Sequence, residues 1–182
     1  VGALRHVYTF GWTEFFLAAI AVWVFDRLVR IIRLFNFGLQ KANIKVISED
    51  TFKVTVKRPH GFRWYAEPGQ YVYLHVFTIK TFGQSHPFTV TDSNFKDGEI
   101  NIYIKCKKGA TKRIYDMVSK KPDQVDNTIL VGIEGPYGPS APNHHYANIA
   151  LFAGGTGIPG ILDAALRLAR KYLDAQTNIR TI

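Results

Sequence analysis

The sequence predicts an α+β chain: an apolar N-terminal helix that crosses a membrane, an antiparallel six-stranded β-barrel, and the start of an α/β unit. Three observations predict it. Residues 7 to 25 are almost free of charge. Between residues 42 and 142, short runs alternate apolar with polar residues and are parted by Gly and Pro turns. After residue 148 a wholly apolar run leads through a glycine turn into a helix-spaced pattern. The expected boundaries are 1–41, 42–142 and 143–182.

Composition narrows the partners. The 182 residues suffice for one domain and part of another. Lys and Arg number 23 against 14 Asp and Glu, a formal charge of +9 that favours phosphates, lipid head groups or nucleic acid. The single Cys106 excludes an internal disulfide and a thiolate metal cluster. The chain opens on Val1 without methionine and stops inside what reads as a βαβ unit, so a piece of a longer protein is expected.

From Val7 to Phe25 the only charge is Glu14. About nineteen residues span about 28 Å as a helix, close to the thickness of a bilayer core. Tyr8, Trp12 and Trp23 suit its interfaces. Arg27, Arg30 and Arg33 follow, then Lys41 and Lys45; such a basic exit marks the cytoplasmic end, which places residues after about 43 in the cytosol. The alternative is a buried helix of a soluble protein. His6 stands alone and reads as structural or interfacial.

The next hundred residues read as short strands. Phe52, Val54 and Val56 alternate with Lys53, Thr55 and Lys57. Val72, Leu74 and Val76 repeat the pattern after Glu67-Pro68-Gly69-Gln70, and Ile100, Ile102 and Ile104 after Lys96-Asp97-Gly98. Ile129–Ile133 precedes Gly135-Pro136-Tyr137-Gly138. Trp64, Tyr65, Tyr71, Tyr73 and Phe88 read mostly as core or rim.

Within this region Gln84–Val90 concentrates chemistry. Pro87 fixes its own φ and pushes His86 toward extended geometry. Alternation then sets His86 and Phe88 on one face, Pro87 and Thr89 on the other. The stretch reads either as an edge strand that tolerates proline or as a surface for a flat heterocycle beside Thr89. On the other face His86 suits a phosphate or adenine. Further on, Ile114, Tyr115, Met117 and Val118 have helical spacing, and Gly109 and Thr111 stand at that helix's start beside Lys105, Lys107 and Lys108. A helix start there is either an anion site or an ordinary Thr cap in a basic loop.

Ile149–Ala153 has the composition of a parallel strand buried on both faces. It runs into Gly154-Gly155-Thr156-Gly157-Ile158-Pro159-Gly160, and then Ile161, Leu162, Ala165, Leu166, Leu168, Ala169 and Tyr172 mark the inward face of a helix. Strand, glycine turn and helix bring backbone N–H groups onto a pyrophosphate. The pattern is neither G-x-G-x-x-G nor a Walker loop, and a merely structural turn is the alternative. His144 and His145 read as exposed linker residues, and no metal site is expected.

In this order the motifs resemble the ferredoxin–NADP reductase superfamily, and its membrane branch in particular: the fungal-type ferric reductases and the related NADPH oxidases. The resemblance runs from Phe25-Asp26-Arg27 through Pro68-Gly69-Gln70-Tyr71, His86–Thr89 and Gly135–Gly138 to Gly154–Gly160. Soluble members carry Arg-x-Tyr-Ser where this chain has His86-Pro87-Phe88-Thr89. The resemblance implies an FAD domain followed by the start of a Rossmann-like NADP-binding domain. It implies that His86, Pro87, Phe88 and Thr89 line the FAD, with Thr89 near the reactive ring and acting in catalysis. Gly109 and Thr111 would face the FAD pyrophosphate, with Lys105 and the Gly135, Pro136, Tyr137 and Gly138 turn also at the cofactor. Gly154, Gly155, Thr156 and Gly157 would hold the NADPH pyrophosphate.

By the same resemblance, haem-bearing helices are expected before Val1 and the rest of the NADPH domain beyond Ile182. The piece by itself should not be a competent enzyme. The expected parent sits in a membrane, the plasma membrane, and contacts lipid; nucleic acid is not an expected partner. It passes electrons from cytosolic NADPH through FAD and haem to ferric chelates or cupric copper. Pro159, one residue before the superfamily's usual proline position, favours metalloreductase over a superoxide-producing oxidase. A reading of another class, a non-catalytic membrane-anchored basic module, rests on charge alone.

Overall fold

The computed structural model describes residues 2–9, 11–59, 66–78, 81, 83–92, 98–119, 128–139, 146 and 148–179. It divides into two units, Val1–Asn36 and Phe37–Ile182.

The first unit is helical. Helix α1 covers Gly2–Thr9 and α2 begins at Thr13, running on to Phe37. Gly11 parts them: its φ is +71° and its N–H donates to the Tyr8 carbonyl at 3.2 Å. The low-charge run that suggested one membrane-spanning helix is thus split. Within α2 the uninterrupted apolar stretch is Phe15–Phe25, about 16 Å at 1.5 Å per residue against a bilayer core of about 30 Å. Asp26 and Arg27 then pair at 2.7 Å, and no described helix is long and apolar enough to cross a membrane. The expected transmembrane helix is corrected accordingly.

The second unit is built on six antiparallel strands: β1 Leu39–Ser48, β2 Thr51–Lys57, β3 Tyr71–Val76, β4 Ser85–Thr89, β5 Glu99–Lys105 and β6 Thr128–Tyr137. Their order across the sheet is β4-β3-β6-β1-β2-β5. Period-2 alternation turns one set of side chains inward. Ala42, Ile44, Phe52, Val54, Val56, Val72, Leu74, Ile100, Ile102, Ile104, Val131 and Ile133 make the core. Helix α3, Ala110–Ser119, lays Ile114 and Val118 onto that core, and Tyr115 meets Phe52 with ring centroids 6.5 Å apart.

The sheet is not closed into a barrel, which corrects the expected barrel. Edge strands β4 and β5 meet beyond β4 at one bridge, Asp92 opposite Asn101. There Thr91 N–H donates to the Asn101 carbonyl at 2.9 Å, and Asn101 N–H to the Asp92 carbonyl at 2.8 Å. The reason lies in β4 itself: five residues long, it holds Pro87, which has no N–H to give a ladder on either side.

A 3₁₀ turn, Gly155–Gly157, leads into α4, Ile158–Ile179. The apolar run Ile149–Ala153 before it forms no strand, and Phe152 is 88% exposed. A parallel strand needs a hydrogen-bonded neighbour, and every described strand belongs to the antiparallel sheet. Helix α4 is buried through Asp163 and Ala164, while Ala169 and Tyr172, expected to face inward, are exposed. Trp64, Tyr65, His144 and His145 lie outside the described residues.

Candidate functional site

Two places collect the expected residues. The first is a ledge on the outer face of β4, β3 and β6. Register puts Thr89 opposite Tyr71, Tyr71 opposite Tyr137, and Pro87 opposite Tyr73. Residues opposite one another across a sheet share a face, so Thr89, Pro87 and three tyrosine rings stand together. Tyr71 stacks on Tyr137 at 5.8 Å, and Tyr73 meets both edge-on at 5.9 and 5.7 Å. Beneath them Glu134 is buried; it accepts from the Tyr137 hydroxyl at 2.6 Å and lies 3.3 Å from His75 Nε2.

The Gly135-Pro136-Tyr137-Gly138 turn shapes one end of the ledge. Gly135 has φ +145°, and a Cβ there would meet Val72 Cγ1 at 3.2 Å and the Tyr71 carbonyl at 3.4 Å. Only glycine suits both constraints. Gln70 ties this turn to the one before β3: its amide donates to the Gly138 carbonyl at 2.6 Å, while its own Oε1 accepts from Glu67 N–H at 2.8 Å. On β4, His86 and Pro87 are exposed, and Thr89 is half-buried. Phe88, opposite Val72, packs against the core on the other face.

The second place is where β5 runs into α3 and α4 begins. Gly109, with φ +95° and open space around it, precedes α3. The Thr111 hydroxyl is engaged locally: it accepts from Lys107 N–H at 2.8 Å and donates to the Lys107 carbonyl at 3.0 Å. The open donors are therefore backbone N–H groups of the first turn, not that hydroxyl. Lys105 reaches Asp50 at 3.0 Å and, with the Thr51 hydroxyl, holds that carboxyl below its ordinary pKa. Asp116 likewise raises Lys112 by pairing at 2.9 Å.

Beside β5 opens a cleft of about 400 Å³ whose walls include Thr51, Thr91, Tyr103, Lys105, Gly155 and Pro159. It brings Lys105 and Gly155, two expected residues, to one space. Gly154, Gly155 and Gly157 all leave open space where a Cβ would stand, and Gly155 has φ +52°. The Thr156 side chain lies outside the described residues. Thr91 is 1% exposed and its hydroxyl has no partner among the described residues. Sequence reading missed Thr91 and Tyr103. The signal was present: Thr91 lies two residues past Thr89, and Tyr103 alternates with the buried Ile102 and Ile104.

This donor set suits FAD. The ledge offers flat aromatic surface and a hydroxyl for a flavin ring. The uncrowded start of α3 at Gly109 offers first-turn N–H groups to a phosphate.

The chain is 44% identical over 166 residues to ferric reductase transmembrane component 3 of Saccharomyces cerevisiae, covering 91% of this chain and 23% of that protein. It is 41% identical over 172 residues to ferric/cupric reductase transmembrane component 1 of Candida albicans, covering 94% and 22%. The chain thus spans about a quarter of the length of these curated relatives. Among solved structures, an NADH-dependent reduced ferredoxin–NADP oxidoreductase is similar with a TM-score of 0.44 and 23% identity, over 59% of this chain and 36% of that one. Residues 36–141, which enclose all six strands and α3, match the FAD-binding domain family, and the chain belongs to it.

Proposed function

We propose that the chain is the flavin-binding segment of a ferric-chelate reductase that takes electrons from NADPH and delivers them to ferric iron or cupric copper. The observation that carries this reading is the FAD-binding match enclosing the whole sheet, in a chain whose relatives are named ferric and ferric/cupric reductase components. The flavin supplies the change from two-electron to one-electron chemistry. This chain's residues supply binding and orientation. Thr89 presents a hydroxyl to the flavin ring, with His86, Pro87 and Phe88 lining the same strand and the tyrosine ledge beside it. Lys105, Gly109 and Thr111 bring positive charge and first-turn N–H groups to the FAD pyrophosphate. Gly135, Pro136, Tyr137 and Gly138 set the ledge's edge. Gly154, Gly155, Thr156 and Gly157 admit the NADPH pyrophosphate to bare backbone at the start of α4.

The relatives are named transmembrane components, which supports a membrane-bound parent; the basic residues Arg27, Arg30 and Arg33 favour the cytosolic, NADPH-supplied side for this segment. In that parent, haem on other helices would carry the electrons onward.

The test is the colour of the purified protein. Bound flavin gives a yellow protein with one FAD per chain; a protein that stays colourless after incubation with FAD overturns the proposal.

A further inference from the structure

Strands β1 and β2 lie inside the sheet, β6 beyond one and β5 beyond the other, so neither is an edge. Their inward residues Ala42, Ile44, Phe52, Val54 and Val56 belong to the core. Alternation therefore turns Lys41, Lys45, Lys53 and Lys57 to the outer face. Register sets Lys45 directly opposite Lys53, where like charges repel across the ladder. Lysines are common on edge strands, where they deter pairing with other chains, but these two strands have no open edge to protect. The Lys53 ammonium lies 5.8 Å from the centre of the Tyr103 ring, and among the described residues neither Lys45 nor Lys53 has an ion pair. Acids stand only at the two ends of the patch: Asp50, in the hairpin with Glu49, pairs with Lys105 at 3.0 Å, and Glu99 stands opposite Lys57. The fold carries this repulsion and gains nothing from it, so the compensating charge belongs to a partner.

The same face carries exposed Leu39 and Ile47 on β1, and exposed Leu130 on β6 opposite Lys41. Ammonium groups among exposed aliphatic side chains suit anionic head groups above acyl chains, because lysine stems lie along apolar surface while their heads reach phosphate. An acidic polypeptide would match the charges and leave the aliphatic side chains without a purpose. Connectivity points the same way. Gly38 alone separates α2 from β1, so the chain tethers Lys45 within roughly 29 Å of the end of that helix. Helix α2 itself exposes Phe15, Trp23, Phe25, Leu28 and Phe35.

We propose that the outer face of β1 and β2 rests on an anionic phospholipid surface, with Lys45 and Lys53 as its central contacts. The proposal rests on the membrane-bound parent for a bilayer within that reach. The face is separate from the tyrosine ledge on β4, β3 and β6.

The experiment measures co-sedimentation of the 182-residue chain with vesicles of phosphatidylcholine alone and of phosphatidylcholine mixed with phosphatidylserine. The apolar N-terminal unit sets the baseline on neutral vesicles, and the lysine face adds to it only on anionic ones. Wild type should bind the anionic vesicles more tightly, and added salt should remove the excess. Lys45→Gln combined with Lys53→Gln should weaken that binding about 10- to 30-fold, with neutral-vesicle binding and FAD affinity unchanged. Its melting temperature should not fall, because the change relieves a repulsion. Lys45→Arg with Lys53→Arg should bind as wild type does. Lys108→Gln with Lys171→Gln makes the same change in net charge elsewhere and should cost less than about three-fold. A Lys45→Gln, Lys53→Gln protein that binds anionic vesicles as wild type does overturns the proposal. An equal loss in the Lys108→Gln, Lys171→Gln protein also overturns it, by reducing the effect to net charge. Wild type indifferent to phosphatidylserine but held by polyglutamate through Lys45 and Lys53 overturns it in favour of an acidic protein. A chain that takes up no FAD yet shows the Lys45- and Lys53-dependent binding sinks the reductase reading and upholds the lipid face. A flavin-loaded chain blind to phosphatidylserine does the reverse.

Discussion

Arg167 and Glu67 stand 100 residues apart in sequence and 3.3 Å apart in space. The same guanidinium donates to the Ala66 carbonyl and, through Nε, to Asp163 Oδ1 at 3.2 Å. One side chain on α4 thus fastens that helix to the turn before β3. Arg170 adds a longer contact, 3.5 Å to Asp92, beside the bridge between the edge strands.

Replacing Arg167 should therefore loosen α4 and leave the sheet alone. The Glu67 carboxylate is well solvated and contributes little, so the backbone carbonyl bond carries most of the effect, together about 1–2 kcal/mol. Arg167→Met is expected to lower hydrogen-exchange protection over residues 158–170 while β1, β2 and β5 keep theirs. Unchanged protection in α4 would show that the guanidinium does not hold it.

Asp163 gives a pH-dependent test of the same junction. It is 1% exposed, its Oδ2 has no partner among the described residues, and burial pushes its carboxyl pKa up despite the opposing pull of Arg167. A folded carboxyl with a raised pKa is penalised once ionised. The penalty begins as pH rises past the unfolded value near ~4 and is complete above the folded pKa. Asp163→Asn removes it and keeps an acceptor for Arg167, so the variant should melt about 2–4 °C above wild type at neutral pH. That advantage should vanish as pH falls through the folded pKa toward ~4. An advantage independent of pH would assign the effect to packing.

The core was legible because its signal is local. Phe52, Val54 and Val56 announce a strand through period alone, and the structure buries all three. Strand β1 was not located, since its inward residue Ala42 is small and its flanking Lys41 and Lys45 look like loop. The apolar run from Val7 was misread because hydropathy averages across Gly11, whereas a positive φ there breaks the helix. Ile149–Ala153 was misread because a strand is a relation between two segments, and composition reports only one. Thr91 escaped for a similar reason: the lack of a partner is a property of the assembled fold.

Thr89 tests the ledge. Its hydroxyl lies on the Tyr71 and Tyr137 face, away from the core. If it bonds the flavin ring, Thr89→Val should keep the fold and weaken FAD by about 1 kcal/mol, roughly five-fold. In the full-length parent, NADPH oxidation should fall by more than FAD occupancy does. Flavin affinity and reduction rate equal to wild type would reduce Thr89 to a strand residue.

The glycine turn separates what the fold needs from what a ligand needs. Gly155 has φ +52°, a conformation most side chains resist by about 1–2 kcal/mol, so substitution there strains the turn itself. Gly157 is different: its φ is not positive, its N–H donates to the Gly154 carbonyl at 2.9 Å, and a Cβ would meet nothing within 4 Å. A valine there leaves the fold's own demands satisfied and fills only the space above the backbone. The expected stability change is that of an exposed substitution, within about 0.5 kcal/mol. A pyrophosphate approaching that backbone would be excluded, so in the full-length parent Gly157→Val should raise the NADPH KM at least about ten-fold, with FAD still bound. Steady-state kinetics on NADPH and NADH, run beside a flavin titration of the same preparation, read both quantities and the choice of nicotinamide at once. Joint loss of flavin, nucleotide and thermal stability would make the turn a structural device. A large KM effect with intact flavin and an unchanged melting temperature leaves the backbone of Gly154–Gly157 as the surface that the nucleotide meets.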